Sequence, residues 1–509
     1  MPYFTSISAN NSVFSEYQVD YSHIPDGPCD KSVSYSKQEV LPLTAIEPST
    51  NCFKAIDTVN PVSPNVFCAD PTGVEYEARL YIYGTNDHQE YEAVGDKGKN
   101  SYENIKSLVT FSTMDMINWE YHGIIDVANI SPWIENSWAP SIVSRVESDG
   151  LTHFYLYFSN GGKGVGVITA TNPLGPWTDP LGKPLVYQNM PGLKNCPAPF
   201  DPGVVIDDKG VGWLAFGGGT PARGNEVYTK IPKIVQLGSD LLSLASEFTA
   251  INAPYFFEAS ELNYINGTYI YSWSTDWQSR ETWDGDEEKV PPICSMGYMT
   301  SKTPLDGDSW EYKGVFFLNA GDSGMEWCNN HTHFMEYGGM KYIFHHTMHI
   351  QERTVTKGGF RCICVDYLPH TGDNLPLAKA TRVGIDQTRP LDPFSRHRGT
   401  EMFTCADIGF TSDEKGTVSA LAREAGSWIM VKGVDFAAGA SEIVLFAHGT
   451  GSIELRIDDL KSSAIASFTQ DSRVVRLNKE IQGIHDLYFI FSCKDIRLEY
   501  WMARKKELS

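Results

Sequence analysis

Five hundred and nine residues with 41 Lys plus Arg against 63 Asp plus Glu carry a formal charge of −22, which repels phosphate backbones and anionic lipid and argues against nucleic-acid or membrane partners. The length exceeds one ordinary core and predicts at least two domains. Hydrophobic residues at 41% and aromatics at 12% suffice for large cores, and no apolar run approaches the roughly 18 residues of a membrane span.

Met1–Ser12 holds neither a basic nor an apolar segment, which predicts no secretory leader and hence a cytoplasmic protein. Residues 1–59 are polar but contain Tyr3, Phe4, Phe14, Tyr17 and Tyr21, as expected of an ordered extension packed on the first domain. The 10 cysteines are too sparse for a disulfide scaffold, and Cys362 and Cys364, on one face of a strand-like run, read as reduced core thiols.

Between residues 60 and 390 a short aromatic strand recurs five times: Leu80–Gly84, Phe154–Ser159, Trp213–Gly217, Tyr269–Ser274 and Tyr342–His346. Most copies lead into a second alternating run and a polar turn with a late Trp, such as Trp119, Trp177 or Trp310. With almost no amphipathic helical stretch between them, the copies predict an all-β fold, a five-bladed β-propeller, rather than an α/β barrel. Four copies carry an ionisable residue at nearly constant distance ahead of the aromatic strand. Asp70, Glu258 and His331 stand 11 residues before Tyr81, Tyr269 and Tyr342, and Asp201 stands 12 before Trp213. Equivalent positions in successive blades lie at one height around the axis, so these four side chains should share a pocket. Asp before Pro, as at Asp70 and Asp201, is also a common turn opener; recurrence in phase favours function over the turn.

Converging carboxylates with aromatic surroundings and no cofactor loop suit glycosidic bond hydrolysis, where one carboxyl group protonates the leaving oxygen and another activates water. Glu258, after Phe256-Phe257 and before Ala259, sits in an apolar setting that favours the neutral form, with Asp201 nearby to raise it further; it reads as the general acid. Asp70 has no second acid beside it and reads as the general base. No organic cofactor is expected: Gly162-Lys163-Gly164-Val165-Gly166 runs into a strand rather than a helix. Gly321-Asp322-Ser323-Gly324 lacks a triad context and reads as a loop. His345 and His346, alternating on a strand with His349 beyond, do not make a zinc site; one of the two faces the sugar pocket, and His345 is assigned that place.

These residues resemble glycoside hydrolase family 43, five-bladed propeller enzymes that attack arabinose- and xylose-containing polysaccharides. The resemblance runs from about Asn60 to Gln387 and rests on Asn60-Pro61-Val62 with Cys68-Ala69-Asp70-Pro71, on Phe200-Asp201-Pro202-Gly203 and on Phe257-Glu258-Ala259-Ser260. It implies Asp70 as base, Asp201 as the aspartate that modulates the acid's pKa, Glu258 as acid, and inversion at the anomeric carbon by direct attack of water. Trp138-Ala139-Pro140, Tyr157 to Gly161 and Asn329-Asn330-His331 are similar to further family motifs, those of the branch active on arabinoxylan side chains. They imply substrate contacts for Trp138 and Asn160 and a channel histidine, His331, beside a structural calcium reached through water. Arg361 is similar to a family arginine that reaches the pocket, although a solvated edge charge explains it equally.

From Ser395 onward short alternating strands predict a β-sandwich (jelly-roll) domain over 395–509. Gly426-Ser427-Trp428-Ile429, Gly433-Val434-Asp435-Phe436 and Gly483 to Tyr488 resemble a family 6 carbohydrate-binding module. The stretch from Gln470 to Val474 offers no aromatic ring for a sugar, so a structural role for the sandwich is expected. The function that follows is an exo-acting hydrolase releasing terminal α-L-arabinofuranosyl or β-D-xylosyl units from xylan-derived oligosaccharides. The alternatives are a non-catalytic sugar-binding propeller, which would not need the Asp70 and Glu258 pair, and an endo-arabinanase. Nothing in the sequence specifies an oligomeric state.

Overall fold

The structure, a computed structural model, describes residues 46–219, 226–413, 416–437, 439–469 and 473–505. Most of the predicted extension, residues 1–45, and residues 470–472 of the ring-free loop lie outside these.

Five antiparallel sheets follow one another along the first domain. The first contains β1 (Ala69–Tyr76), β2 (Arg79–Thr85), β3 (Leu108–Thr113) and β4 (Trp119–Ile125). The second contains β5 (Trp138–Val146), β6 (Thr152–Ser159), β7 (Gly164–Ala170) and β8 (Val186–Tyr187). The third holds β9 (Gly203–Ile206), β10 (Gly212–Phe216), β11 (Lys233–Gln236) and β12 (Thr249–Ala250). The fourth holds β13 (Phe256–Ile265), β14 (Thr268–Thr275), β15 (Met296–Ser301) and β16 (Glu311–Phe317), and the last β17 (Thr332–Tyr337), β18 (Met340–Thr347) and β19 (Cys362–Tyr367). The first strands touch in cyclic order, β1 to β5, β5 to β9, β9 to β13, β13 to β17 and β17 back to β1, which closes a propeller ring. The aromatic repeats are the second strands. Every residue of β14, Thr268–Thr275, is buried, because each sheet is packed on both faces by its neighbours and large rings fill the wedge between them.

Three of the inner hairpins close on two-residue turns in which both residues have positive φ: Glu77-Ala78 (50° and 59°), Asn266-Gly267 (50° and 82°) and Gly338-Gly339 (57° and 79°). This turn class matches the right-handed twist of paired strands, so the turn fixes the register and therefore which residue begins each inner strand.

Beyond the ring the chain forms a sandwich. A sheet of Ile408–Ser412, Val418–Ala422, Arg497–Arg504, Ala440–His448 and Val474–Ile481 packs on a second of Thr404–Ala406, Trp428–Asp435, Ile484–Phe491, Ser452–Ile457 and Ala466–Thr469. Leu445, Phe489, Phe491, Trp501 and Phe436 lie in its core, while Trp428 is buried beside Ile117 and Phe403.

Two features differ from the sequence-based boundaries. The pair Glu401–Met402 lies past residue 395 yet adds a fifth strand to the first propeller sheet, bonded to β4. The start of the described chain, expected on the propeller, lies largely on the sandwich. Trp428 Nε1 donates to Ser49 O at 2.8 Å, Arg456 Nη2 donates to Ile46 O at 2.9 Å, and Cys52 pairs with Ala406. Tyr17 and Tyr21 of the predicted wrap are outside the described residues. The seam between the domains is sealed by reciprocal bonds, Asn118 Nδ2 to Lys432 O at 2.8 Å and Lys432 N to Asn118 Oδ1 at 2.9 Å, and by Tyr121 against Phe410. All nine described cysteines are free, and Cys362 and Cys364 are buried against Thr347, as their sequence predicts.

Candidate active site

Three of the inner strands, β1, β5 and β13, begin with a break in their ladders. The register shifts between Ala69 and Thr72 and again around Glu258, and Asp70, Asp201 and Ala259 have φ of 51°, 51° and 61°. A bulge in the left-handed region turns the side chain out of the strand's alternation, toward the axis. Each of these residues donates its backbone N–H to a side chain of the preceding blade: Asp70 to His346 Nδ1 at 3.1 Å, Asp201 to Ser159 Oγ at 2.8 Å, Ala259 to Asp201 Oδ2 at 2.8 Å. The bond occupies a donor that the bulge removes from the sheet. Glu258 therefore stands one residue ahead of the position held by Asp70 and Asp201. The aromatic marker Tyr269 is also displaced by one relative to Tyr81, since Thr268 rather than a residue two before Tyr269 opens β14, so the two offsets cancel in the spacing.

Asp70, 6% exposed, is held on every side. Arg361 Nη1 donates to Oδ1 at 3.0 Å and Thr85 Oγ1 to Oδ2 at 2.7 Å, and His331 Nδ1 lies 3.5 Å away. Burial alone would raise this carboxyl, but the Arg361 guanidinium outweighs it and holds it well below the usual carboxylate range, ionised at any working pH. Arg361 is itself fixed by Asp87, the first residue of α1 (Asp87–Val94): Nε donates to Oδ2 at 2.9 Å and Nη2 to Oδ1 at 2.8 Å, a bidentate fork. Its plane lies over the Tyr102 ring at 5.0 Å.

Glu258 is half-buried and receives a bond from Asn329 Nδ2 at 3.2 Å. Burial, reinforced by the charge on Asp70, raises it to about 7, so near neutrality it keeps a proton to give. Asp201, 5% exposed, is pushed well above the carboxylate range by burial and then by Glu258 and Asp70. The mutual repulsion falls on Asp201 rather than raising Glu258, the reverse of the direction expected from sequence. Thus one carboxylate is ionised and one carboxyl protonated in the same pocket, the division of labour of acid-base glycoside cleavage.

Trp138 lines the wall beside this pair: its Nε1 donates to Tyr102 O at 2.9 Å, and its ring meets Phe200 edge-on, next to Asp201. Asn160 is placed differently from the expectation. Its Oδ1 accepts from the backbone N–H groups of Glu135 and Asn136 at 2.8 and 3.2 Å, so it braces the loop that presents Trp138. His345 is a correction. Strand alternation turns it away from the cleft, where Nε2 pairs with Asp366 at 2.9 Å and the ring packs on Phe317, and the next residue, His346, faces Asp70.

His331 is buried, and burial lowers it to about 4, so it is uncharged near neutrality. Calcium takes six to eight oxygens. The carboxylate beside His331 is that of Asp70, whose oxygens already receive Arg361 and Thr85, and among the described residues no group of three His, Cys, Asp or Glu side chains is arranged for a metal. These residues do not fit a directly bound calcium, and no step below passes through one.

Sequence reasoning missed Thr85, Asp87, Tyr102 and His346. A signal existed for two of them: in an antiparallel hairpin the end of the second strand returns to the start of the first, so Thr85 pairs Ala69, and His346, near the end of β18, follows His345, which pairs Thr332 at the start of β17. The exits of the aromatic strands are thus site positions as much as the entrances.

The profile of glycosyl hydrolases family 43 matches residues 58–363, from ahead of β1 into β19, and takes in Asp70, Asp201 and Glu258. The chain belongs to that family. Two curated relatives are each named arabinoxylan arabinofuranohydrolase. One, from Bacillus subtilis (strain 168), is 32% identical over 90% of this chain and 94% of its own; the other, from Paenibacillus polymyxa, is 30% identical over 85% and 72%. Among solved structures, that of a family 43 arabinoxylan arabinofuranohydrolase from Bacillus subtilis in complex with cellotetraose superposes with a TM-score of 0.82, at 29% identity, over 90% of this chain and 99% of that one. The match extends through the sandwich, so both domains share that architecture. As a family 43 member the protein is a glycosidase.

Proposed function

We propose that the protein is an inverting exo-glycosidase that removes terminal α-L-arabinofuranosyl units, or β-D-xylosyl units, from xylan- or arabinoxylan-derived oligosaccharides. The observation that carries this reading is the pairing of an ionised Asp70 with a protonated Glu258 in one cleft. Asp70 would take a proton from water as that water attacks the anomeric carbon, and Glu258 would give its proton to the departing oxygen. Asp201, kept neutral, donates no second negative charge that would hold the acid's proton back. Support for a sugar leaving group comes from the acid's side of the cleft. Trp277 and Trp327, 41% and 45% exposed, lie side by side at a tilt of 59° with ring centroids 6.3 Å apart, one just past β14 and the other two residues before Asn329. Exposed rings beside a general acid suit stacking of a saccharide backbone. The names of the two curated relatives favour arabinofuranose over xylose. The test is release of sugar from an aryl α-L-arabinofuranoside, an aryl β-D-xyloside, arabinoxylan oligosaccharides and linear arabinan. Arabinose from the first and third is expected; cleavage of linear arabinan to internal fragments would show an endo-arabinanase, and turnover of none a binding protein.

A further inference from the structure

A continuous hydrogen-bond path joins the two reactive residues behind the cleft. The Asp70 backbone N–H donates to His346 Nδ1 at 3.1 Å. The opposite ring nitrogen, Nε2, meets the Asn329 carbonyl oxygen at 2.7 Å. Asn329 Nδ2 then donates to Glu258 Oε1 at 3.2 Å. A carbonyl only accepts, so Nε2 carries a proton toward Asn329, while Nδ1 meets both the Asp70 N–H at 3.1 Å and the Asp70 Oδ1 at 3.3 Å. The orientation of the amide is fixed as well: Asn329 Oδ1 faces the guanidinium Nη1 of Arg361 at 3.4 Å, which leaves the amide nitrogen for Glu258. The His346 side chain is fully buried, and it supports a residue whose φ of 51° has no sheet bond to hold it.

We propose that His346 is a positioning residue that acts through Asn329 to fix the separation and orientation of Asp70 and Glu258. The inference rests on the reading of those two as base and acid. Inverting cleavage needs a water between base and sugar while the acid touches the leaving oxygen, so the gap between the carboxyl groups is itself a catalytic variable. A strut with one end on the base's backbone and the other on the acid's oxygen sets that gap. Its acid end also acts electrostatically, because a donated bond favours the ionised form that Glu258 reaches once its proton has gone. The other titratable or charged groups facing Glu258 are Asp70 on β1, Asp201 ahead of β9, Arg361 ahead of β19, Tyr102, and Cys294 ahead of β15.

The test is the pH dependence of kcat and KM on an arabinoxylan oligosaccharide, whose poor leaving group requires the acid. His346→Leu is expected to lower kcat on the order of ten- to a hundredfold with KM changed less than about twofold. It should also move the basic limb upward by on the order of one pH unit, as the Asn329 amide loses its hold on Glu258. Asn329→Leu should move the limb the same way, and the double variant no further than either single one. His346→Gln, able to donate to the Asn329 carbonyl, should leave the limb near its original place and remains decisive if the leucine variant does not fold. An unmoved limb in a soluble, cooperatively melting His346→Leu, or shifts that add in the double variant, would overturn the proposal. Glu258→Gln separates the two levels: if it abolishes turnover while the His346 variants keep their limb, the strut fails and the acid assignment stands.

Discussion

Exchanging one oxygen of Glu258 for nitrogen keeps its shape and removes its proton, so Glu258→Gln is expected to lower kcat on oligosaccharides by roughly a hundred- to ten-thousandfold with little change in binding. Aryl glycosides with acidic phenol leaving groups, which need little protonation, should lose much less; equal loss on both substrates would count against the acid role. With Glu258 raised to about 7, wild-type turnover should fall as pH rises through about 7, because the required proton is then gone. Asp70→Asn should be inactive on both substrate types, and azide should restore product of inverted configuration, checked by proton NMR of the first-formed anomer. At this scale the sequence was legible where chemistry and position coincide. Asp70, Asp201 and Glu258 stand out because carboxylates recurring ahead of strands have no packing explanation. It was illegible where one residue decides the face: His345 and His346 are the same chemically, and only the register set by the Gly338-Gly339 turn sends the second toward Asp70. Asp87 left no such mark, since an acidic residue opening a helix is ordinary and its role is visible only through Arg361, 274 positions later.

Among elements, the five aromatic strands were readable because burial on both faces writes them as continuous apolar runs. The two-residue strand Glu401–Met402 was not, being too short for any period to show. The segment around Lys54 is the other surprise. Lys54 is fully buried, its Nζ has no hydrogen-bond partner among the described residues, and it lies over the Phe403 ring at 4.4 Å, with Lys432 Nζ over that ring at 4.6 Å. Burial lowers it to about 7 from an ordinary value of 10.5. Below about pH 7 both folded and unfolded chains carry the proton, and the fold bears the full cost of a buried cation, on the order of several kcal/mol. Between pH 7 and 10.5 the folded chain has lost that proton while the unfolded one keeps it, so the cost declines as pH rises. Lys54→Met, similar in volume, should raise the melting temperature by several degrees at pH 6 and flatten its rise toward pH 10; differential scanning calorimetry across that range checks both. A variant less stable than the parent at pH 6 would show the ammonium to be favourably held.

For the whole molecule, the sandwich is a structural partner of the ring. It supplies the outer strand that bonds β4 through Glu120 and Trp119, and Asp115 accepts from Gln387 Nε2 at 3.0 Å just before the crossing. Ending the chain at Pro390 removes that strand and uncovers Ile117 and Tyr121, so the shortened protein is expected to be insoluble or to melt well below the full chain. Pull-down on insoluble xylan should show little loss of affinity attributable to the sandwich. A stable, fully active 1–390 fragment, or firm xylan binding by 395–509 alone, would reverse this view. That two domains exist was legible from length and from the change of pattern near Ser395, whereas the strand exchange between them was not, since bonding across a seam leaves no local trace.

The fifth strand of the first sheet also fixes a timetable. During synthesis the chain emerges from the ribosome in order, and the sheet that carries Asp70 is the earliest of the five to appear. It is also among the last to be finished, because Glu401–Met402 is made only after all the other blades and the Asn118 seam closes only once Lys432 has followed. The first sheet is therefore complete only after residue 402 has been made, and until then its outer strand β4 presents an open edge, the kind of surface that chaperones bind.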